Sequence, residues 1–348
     1  SNHFVRFGSG RRIKLPKKNI NYEYKKVIGI YIYRDDEFIR AKIGITYLNS
    51  EAIDEINLKY EKDEDPAYIF QDISKGIKEK LKKLKINKNE ILGIGISIVG
   101  IVDQENGISV NAQGLWKKKV EVAQVFKENF DIPVHVANNI HSYFLAYKLF
   151  ENMQTDNGNY IFLKYGTGIG SALIMNNEIQ DGIHFSAGKL SHIRVESPAI
   201  VKCPCGDINC LDAVVNFYRI INEVKEVYSE EVTPVLYEKT NGIEENINIE
   251  HIFYAYSQGE VMIKEILERK YYAIASVLVD IVKFIDPDRV FITGYGFTNE
   301  TLNRLFFDYV YELSNRKISR EIFVKNDIYK IPQYIGAVAL ILEKEFYN

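Results

Sequence analysis

Cysteine is scarce in this chain: 348 residues carry three, along with one tryptophan, three methionines and eight prolines. So few cysteines in so long a chain do not make the even-numbered framework of a small secreted disulfide scaffold. Long hydrophobic runs are missing too. None reaches the roughly 18 to 20 residues that a membrane-spanning helix needs, and no signal-peptide pattern opens the sequence. A cytoplasmic protein with no membrane partner is therefore expected. Charge of one sign is also lacking. The balance of 44 basic against 47 acidic side chains leaves a net charge of -3, which gives no general electrostatic reason to bind nucleic acid or an anionic membrane. Internal repeats and low-complexity segments are absent. What remains, with 46% hydrophobic and 26% charged residues, fits a globular chain of about two domains.

The three cysteines are concentrated in one place. Cys203, Cys205 and Cys210 fall within eight residues, and His192 stands eleven positions before the first. Thiolates this close on a Gly/Pro-bearing loop, with an imidazole from the segment before, can close the tetrahedral shell of three sulfurs and one nitrogen that structural zinc favours. The alternatives are a cluster of reduced thiols, or one disulfide with a cysteine left over. A Cys203–Cys205 bridge would be strained by its very short loop. A Cys3His zinc site is the expectation.

Patterning is α/β. Val27 to Tyr33 and Phe38 to Ile45 read as paired strands, and Ile69 to Leu84 repeats apolar residues at helical spacing. Ile91 to Ile98 is an apolar strand, a helix near Val120 to Asn129 leads to a strand Pro133 to Val136, and a helix runs from His141 to Phe150. A second set follows: strand Tyr160 to Leu163, the glycine-rich stretch Gly166-Thr167-Gly168-Ile169-Gly170, strand Ser171 to Met175, and helices over Ala213 to Tyr228 and Met262 to Phe284. Strand Val290 to Thr293 ends in Gly294-Tyr295-Gly296, and the last helix covers Ile335 to Phe346. The glycine-rich stretch reads equally as a ligand-approach loop or as a plain hairpin turn. Residues 229 to 250, acidic and turn-rich, read as a surface connection, and the lysine-rich run Lys78 to Lys88 as a solvated helix face.

These motifs together resemble the ROK family (repressors, open reading frames and sugar kinases). The order is Gly100-Ile101-Val102-Asp103 after a Gly-rich strand, Pro133-Val134 before Asn138, the glycine-rich stretch, His192 before Cys-x-Cys-Gly-x4-Cys-Leu-Asp, and a late Pro-strand-Gly-x-Gly. The likeness spans roughly residues 10 to 348. In the zinc loop this chain has Asn209 for a family glycine and Asp212 for a family glutamate. The resemblance implies the actin-like ATPase (ribonuclease H-like) fold, two α/β lobes with a cleft between them. It places residues 21–138 and 331–348 in the N-terminal lobe, and 139–330, with the zinc loop, in the C-terminal lobe. It also implies a sugar site using Asn138, Asn139, Lys189, His192 and Asp212, with His192 sharing its ring between zinc and a sugar hydroxyl.

The departures from the family point away from catalysis. Where family kinases carry the aspartate that takes a sugar-hydroxyl proton, this chain has Asn139, and an amide supplies no general base. The kinase phosphate motif Asp-x-Gly-Gly-Thr falls on Tyr31-Ile32-Tyr33-Arg34-Asp35, without its aspartate or glycines. No catalytic residue is therefore assigned, and the expectation is a sugar-sensing regulator body without kinase activity. Competing readings are an active sugar kinase with altered chemistry and a silent scaffold. Lys189 stands where the family has a sugar-binding glutamate, so a phosphorylated or acidic sugar is the expected effector; the alternative is that Lys189 pairs with a neighbouring carboxylate. Trp116 is a candidate apolar face for a pyranose, or else a core residue.

The first 26 residues carry eight basic side chains against one acid, Glu23. Residues 1–20 read as a basic entry arm, and 8–19 resemble the segment that leaves the winged helix-turn-helix of the family's regulators. A DNA-binding module ahead of Ser1 and a homodimer or homotetramer follow as expectations, with arm lysines and arginines contacting phosphates.

Overall fold

In a computed structural model of the chain, whose described residues are 21–35, 38–112, 114–116, 118–151 and 158–347, the backbone divides into two units. Among the described residues, the first takes 21–151, 181–186 and 328–347, and the second takes 158–180 and 187–327. The expected basic arm, residues 1–20, lies outside the described residues. In chain order the first unit begins with strands β1 (Lys26–Arg34), β2 (Phe38–Tyr47) and β3 (Ala52–Glu61) and helix α1 (Pro66–Leu84). It continues with β4 (Ile91–Ile98), the short pair β5 (Ile101–Asp103) and β6 (Ile108–Asn111), α2 (Val122–Phe130), β7 (Val134–Asn138) and α3 (Asn139–Glu151). The second unit holds β8 (Tyr160–Tyr165), β9 (Ile169–Met175), β10 (Glu178–Ile179), α4 (Leu211–Val215), α5 (Phe217–Val227), α6 (Pro234–Lys239) and α7 (Ile249–Ser257). It ends with α8 (Val261–Ile285), β11 (Arg289–Thr293), α9 (Glu300–Leu313) and β12 (Phe323–Lys325), after which α10 (Ile335–Leu342) returns to the first unit.

Both units use one pairing plan. The first sheet runs β3-β2-β1-β4-β7 and the second β10-β9-β8-β11-β12. In each, the lead strand pairs antiparallel with its successor and parallel with the strand on its other side. The plan repeats although the sequence does not, because strand order is fixed by which faces are apolar rather than by particular residues.

Local chemistry explains the elements. Strand β1 is central and buried on both faces, so it reads as an unbroken apolar run. Ile28, Ile30 and Ile32 join the core with Ile69, Phe70, Ile73 and Ile77 of α1. Asp65 caps α1 by accepting from the Ala67 N–H at 2.7 Å, with Pro66 at the first position, and the helix stops at Lys85 with φ 56°. The opposite sheet face carries α10, buried at every position. Gly95 permits this: a Cβ there would meet the Ala337 carbonyl oxygen at 1.9 Å. In the second unit, α8 runs through a core that includes Tyr165, Phe217, Tyr271 and Phe297.

Several expectations need correction. The boundary after residue 138 falls later, because α3 continues β7 without a break and its Lys148 Nζ lies 3.0 Å from Glu343 Oε1 in the tail of the same unit. The helix expected over Ala213 to Tyr228 breaks at Asn216 (φ -63°, ψ 156°), whose side chain caps α5. Residues 229–250 are not a plain surface connection: α6 lies there with Thr233, Leu236 and Thr240 buried. Its Val235 and Leu236 N–H groups donate to the buried Glu260 carboxylate at 2.7 and 3.3 Å. Six residues are too few to display a helical period. The last helix is α-helical only to Leu342 and ends in a wider π-turn over Glu343–Tyr347.

Candidate functional site

The second unit brings the predicted metal ligands together. Two isolated bridges, Arg194 with Cys210 and Lys202 with Ile208, fold the loop back on itself. The turn between them is closed by Cys203 N–H to Asp207 O at 2.9 Å and Gly206 N–H to Cys203 O at 3.0 Å. Asn209 takes φ 53°, a left-handed conformation that asparagine tolerates better than most side chains, and its Oδ1 accepts from the Val201 N–H at 2.8 Å. One donor atom from each of His192, Cys203, Cys205 and Cys210 lies within 4.8 Å of the others. His192 Nδ1 is 3.8 Å from Cys203 Sγ, and the Cys205 and Cys210 sulfurs are 3.6 Å apart. Burial pushes the Cys203 thiol up to about 12, so this group ionises only where a cation compensates it, and three sulfurs with one imidazole suit a soft tetrahedral dication. With Nδ1 on the sulfurs, Nε2 is the ring nitrogen left for other contacts.

Asp212 sits two residues past the last cysteine, in the first turn of α4. Its Oδ1 accepts from the Ile169 N–H at 2.7 Å and lies 3.0 Å from where a Cβ on Gly168 would be. The carboxylate expected to meet a sugar thus spends one oxygen fastening the glycine-rich stretch, which is the hairpin turn between antiparallel β8 and β9. Burial raises the Asp212 carboxyl, opposed by that N–H and by the charge of Lys164, and burial lowers Lys164, opposed by Asp212. Sequence reasoning missed Lys164, which falls between the strand expected over Tyr160 to Leu163 and the glycine-rich stretch and carries no motif signal. It also missed Ser171, whose Oγ accepts from the Leu190 N–H at 2.8 Å and donates to Gly188 O at 2.5 Å, holding the segment that carries Lys189 and His192. Lys189 precedes the 3-10 turn Leu190–His192, and its charge adds to burial in lowering the His192 pKa.

Asn138 and Asn139 belong to the first unit, where β7 meets α3. Asn138 is buried; its Nδ2 donates to Gly100 O at 2.7 Å and its Oδ1 accepts from the Ile140 N–H at 2.9 Å, so both ends of the amide serve the fold. Asn139 lies beside the side chain of Tyr31 and partly opposes the burial that pushes that phenol up to about 12. The two departures from the family's kinase pattern are therefore in contact. Tyr31 stacks on Tyr33 with centroids 5.0 Å apart, and Tyr143 meets it edge-on at 6.5 Å. Trp116 is no exposed sugar face: it is 6% exposed, donates from Nε1 to Ser109 Oγ at 3.0 Å and packs edge-on to Phe70. The motif reading also passed over a polar node of the first unit. Buried His141 lies 3.2 Å through Nδ1 from Asp181 Oδ1, and Gln104 Nε2 is 3.0 Å from the same nitrogen and 2.6 Å from Asp181 Oδ2.

With this geometry in view, likeness to known proteins is informative. The ROK family profile matches residues 40–344. A glucokinase of Halalkalibacterium halodurans is 21% identical over 73% of this chain and 76% of its own length. A xylose repressor of Caldicellulosiruptor bescii is 24% identical over 76% of this chain and 66% of its own length. Among solved structures, a ROK family transcriptional regulator homologous to the E. coli MLC protein superposes with TM-score 0.74 at 19% identity, covering 93% of this chain and 79% of that one. A ROK family glucokinase from Streptomyces griseus, in complex with glucose and AMPPNP, superposes with TM-score 0.68 at 17% identity, covering 93% and 100%. Kinases and repressors thus occur side by side at similar distance. At these identities the structures establish the fold, that of the actin-like ATPases in two α/β lobes, and the profile, matching well over half the residues, makes this chain a member of the ROK family.

Proposed function

We propose that this chain is the sugar-sensing body of a ROK-type transcriptional regulator, a repressor of carbohydrate-utilisation genes, and that it transfers no phosphoryl group. The observation that carries the proposal is the Tyr31–Asn139 contact. At the position of the family's base stands an amide, which takes no proton at neutral pH, and beside it lies a phenol that does not ionise there either. Tyr31 and Tyr33 also occupy the stretch where the kinases keep bare glycine backbone for phosphate. The Cys3His cluster is proposed to hold structural zinc, keeping His192 and the Asp212-fastened turn in place. Asn139, Lys189 and His192 are proposed effector contacts, with Asn138 and Asp212 supporting them from within the fold. Lys189 in place of a carboxylate favours a phosphorylated or acidic sugar. DNA contact through a module N-terminal to this chain, a homodimer or homotetramer, and a cytoplasmic location complete the reading, in keeping with the xylose repressor among its relatives.

The test is a coupled assay for ADP release with ATP, magnesium and a panel of glucose, mannose, xylose, N-acetylglucosamine and N-acetylmannosamine. No sugar-dependent turnover is expected, whereas thermal stabilisation is expected from at least one of these sugars, their 6-phosphates or a uronic acid. Sugar-dependent ADP release would establish the kinase reading instead.

A further inference from the structure

We infer that Tyr33, stacked on Tyr31 and flanked by Lys42, with Asn139 beside Tyr31, is a sugar-stacking subsite that receives the apolar face of a pyranose ring; this rests on the sugar-sensing reading above. Strand alternation puts Gly29, Tyr31 and Tyr33 on one face of β1, opposite the Ile28, Ile30 and Ile32 that enter the core. The rings lie 5.0 Å apart with 22° between their planes. Tyr31 is 8% exposed and Tyr143 is buried, so these two rings form a floor, while Tyr33 is half-buried at the end of the stack. Its rim is polar. Lys42 Nζ stands over the Tyr33 ring, 5.6 Å from its centroid and 3.1 Å from Gln333 Oε1, and the Asn139 amide lies beside Tyr31.

The location supports a ligand rather than packing alone. Strands β1, β4 and β7 run parallel, and Tyr33 and Asn139 lie at or just past the carboxyl ends of β1 and β7, the side of an α/β sheet where ligands bind. Here an aromatic stack meets an amide and an ammonium, a combination that matches a pyranose: its axial C–H bonds present an apolar face to a ring, and its edge hydroxyls seek donors and acceptors. Lys42 further favours a ring bearing a carboxylate or phosphate. The stack is pre-formed and buried beneath, so little side-chain freedom remains to be lost on binding.

The experiment measures affinity by calorimetry for glucose, glucose 6-phosphate, N-acetylglucosamine 6-phosphate, glucuronate and xylose on the whole chain and on Tyr33→Ala, Tyr33→Phe and Lys42→Met. For whichever probe binds, Tyr33→Ala is expected to weaken affinity about tenfold or more, Tyr33→Phe to stay within a few-fold of the parent, and Lys42→Met to weaken charged probes more than neutral ones. Metal content and melting temperature of the Phe variant serve as the folding control. Unchanged affinity in a folded Tyr33→Ala protein would overturn the subsite and leave the sugar-sensing reading standing. Absence of heat from every probe with the parent protein would overturn that reading, and the subsite with it.

Discussion

At the scale of single residues, the contact between Asn139 and Tyr31 carries the most weight, because each side chain alone admits a weaker interpretation. An asparagine in place of a catalytic aspartate is a one-atom change that a reversion could repair. With Tyr31 beside it, Asn139→Asp is expected to gain no sugar-dependent phosphorylation in the ADP-release assay: the restored carboxylate would meet the phenol, and the first strand still lacks the phosphate-binding glycines. Turnover rising a hundredfold or more above background in that variant, the lower end of what general-base catalysis contributes at about 10²–10⁴-fold, would show that one amide was the whole obstacle. The sequence exposed both substitutions. It could not show that they touch, since 108 positions separate them along the chain.

At the scale of elements, α6 shows why a short buried segment escapes sequence reading. Its six residues PVLYEK present no periodicity, and what keeps them helical is a carboxylate 24 and 25 positions away: Glu260 accepts from the Val235 and Leu236 N–H groups that a helix start leaves unpaired. Glu260→Ala is expected to cost about 1–3 kcal/mol in denaturant unfolding, the penalty for orphaning buried donors. The pH dependence has a definite sign. Burial raises the Glu260 carboxyl above its ordinary value of 4.5. Its contribution to stability is complete below that value and is lost as pH rises through the raised value of the folded state. Glu260→Gln cannot titrate, so a scan of melting temperature from pH 4 upward should fall less steeply for the glutamine variant than for the parent. A parallel pair of curves would refute the assignment. The strand β3 was overlooked for a related reason: as an edge strand with alternating charged residues, AIDEINLKYE, it lacks the apolar run that marked its neighbours.

At the scale of the whole molecule, the chain divides its proposed functional residues between two units with separate cores, and the Cys3His cluster proposed to hold zinc belongs to only one of them. Removal of metal should therefore act locally. Cys203→Ser is expected to lose bound zinc, measured by mass spectrometry of the purified protein, and to speed hydrogen exchange over residues 188–215. Exchange should also quicken over residues 165–170, because Asp212 ties that turn to the loop, while β1, β2 and β4 keep the parent's protection. Full zinc content in the variant, or equal deprotection in both units, would contradict the scheme.

Much of this protein was legible without coordinates. The apolar runs, their alternation with helical periods, and four soft ligands in one loop are local properties, carried by spacing that any fold must respect. So the α/β class, the central strands, the long helices and the grouping of His192 with the three cysteines followed from sequence. What only the tertiary structure decided were contacts between residues far apart: that Asp212 fastens a turn, that Trp116 is core, that Asn138 is spent on Gly100 and Ile140, and that α3 stays with the first unit. The physical reason is that a side chain with several hydrogen-bonding or packing options takes the partner that the backbone delivers, and spacing along the chain carries no record of that delivery. Tyr31 and Asn139 needed both: sequence singled them out, and the fold brought them together.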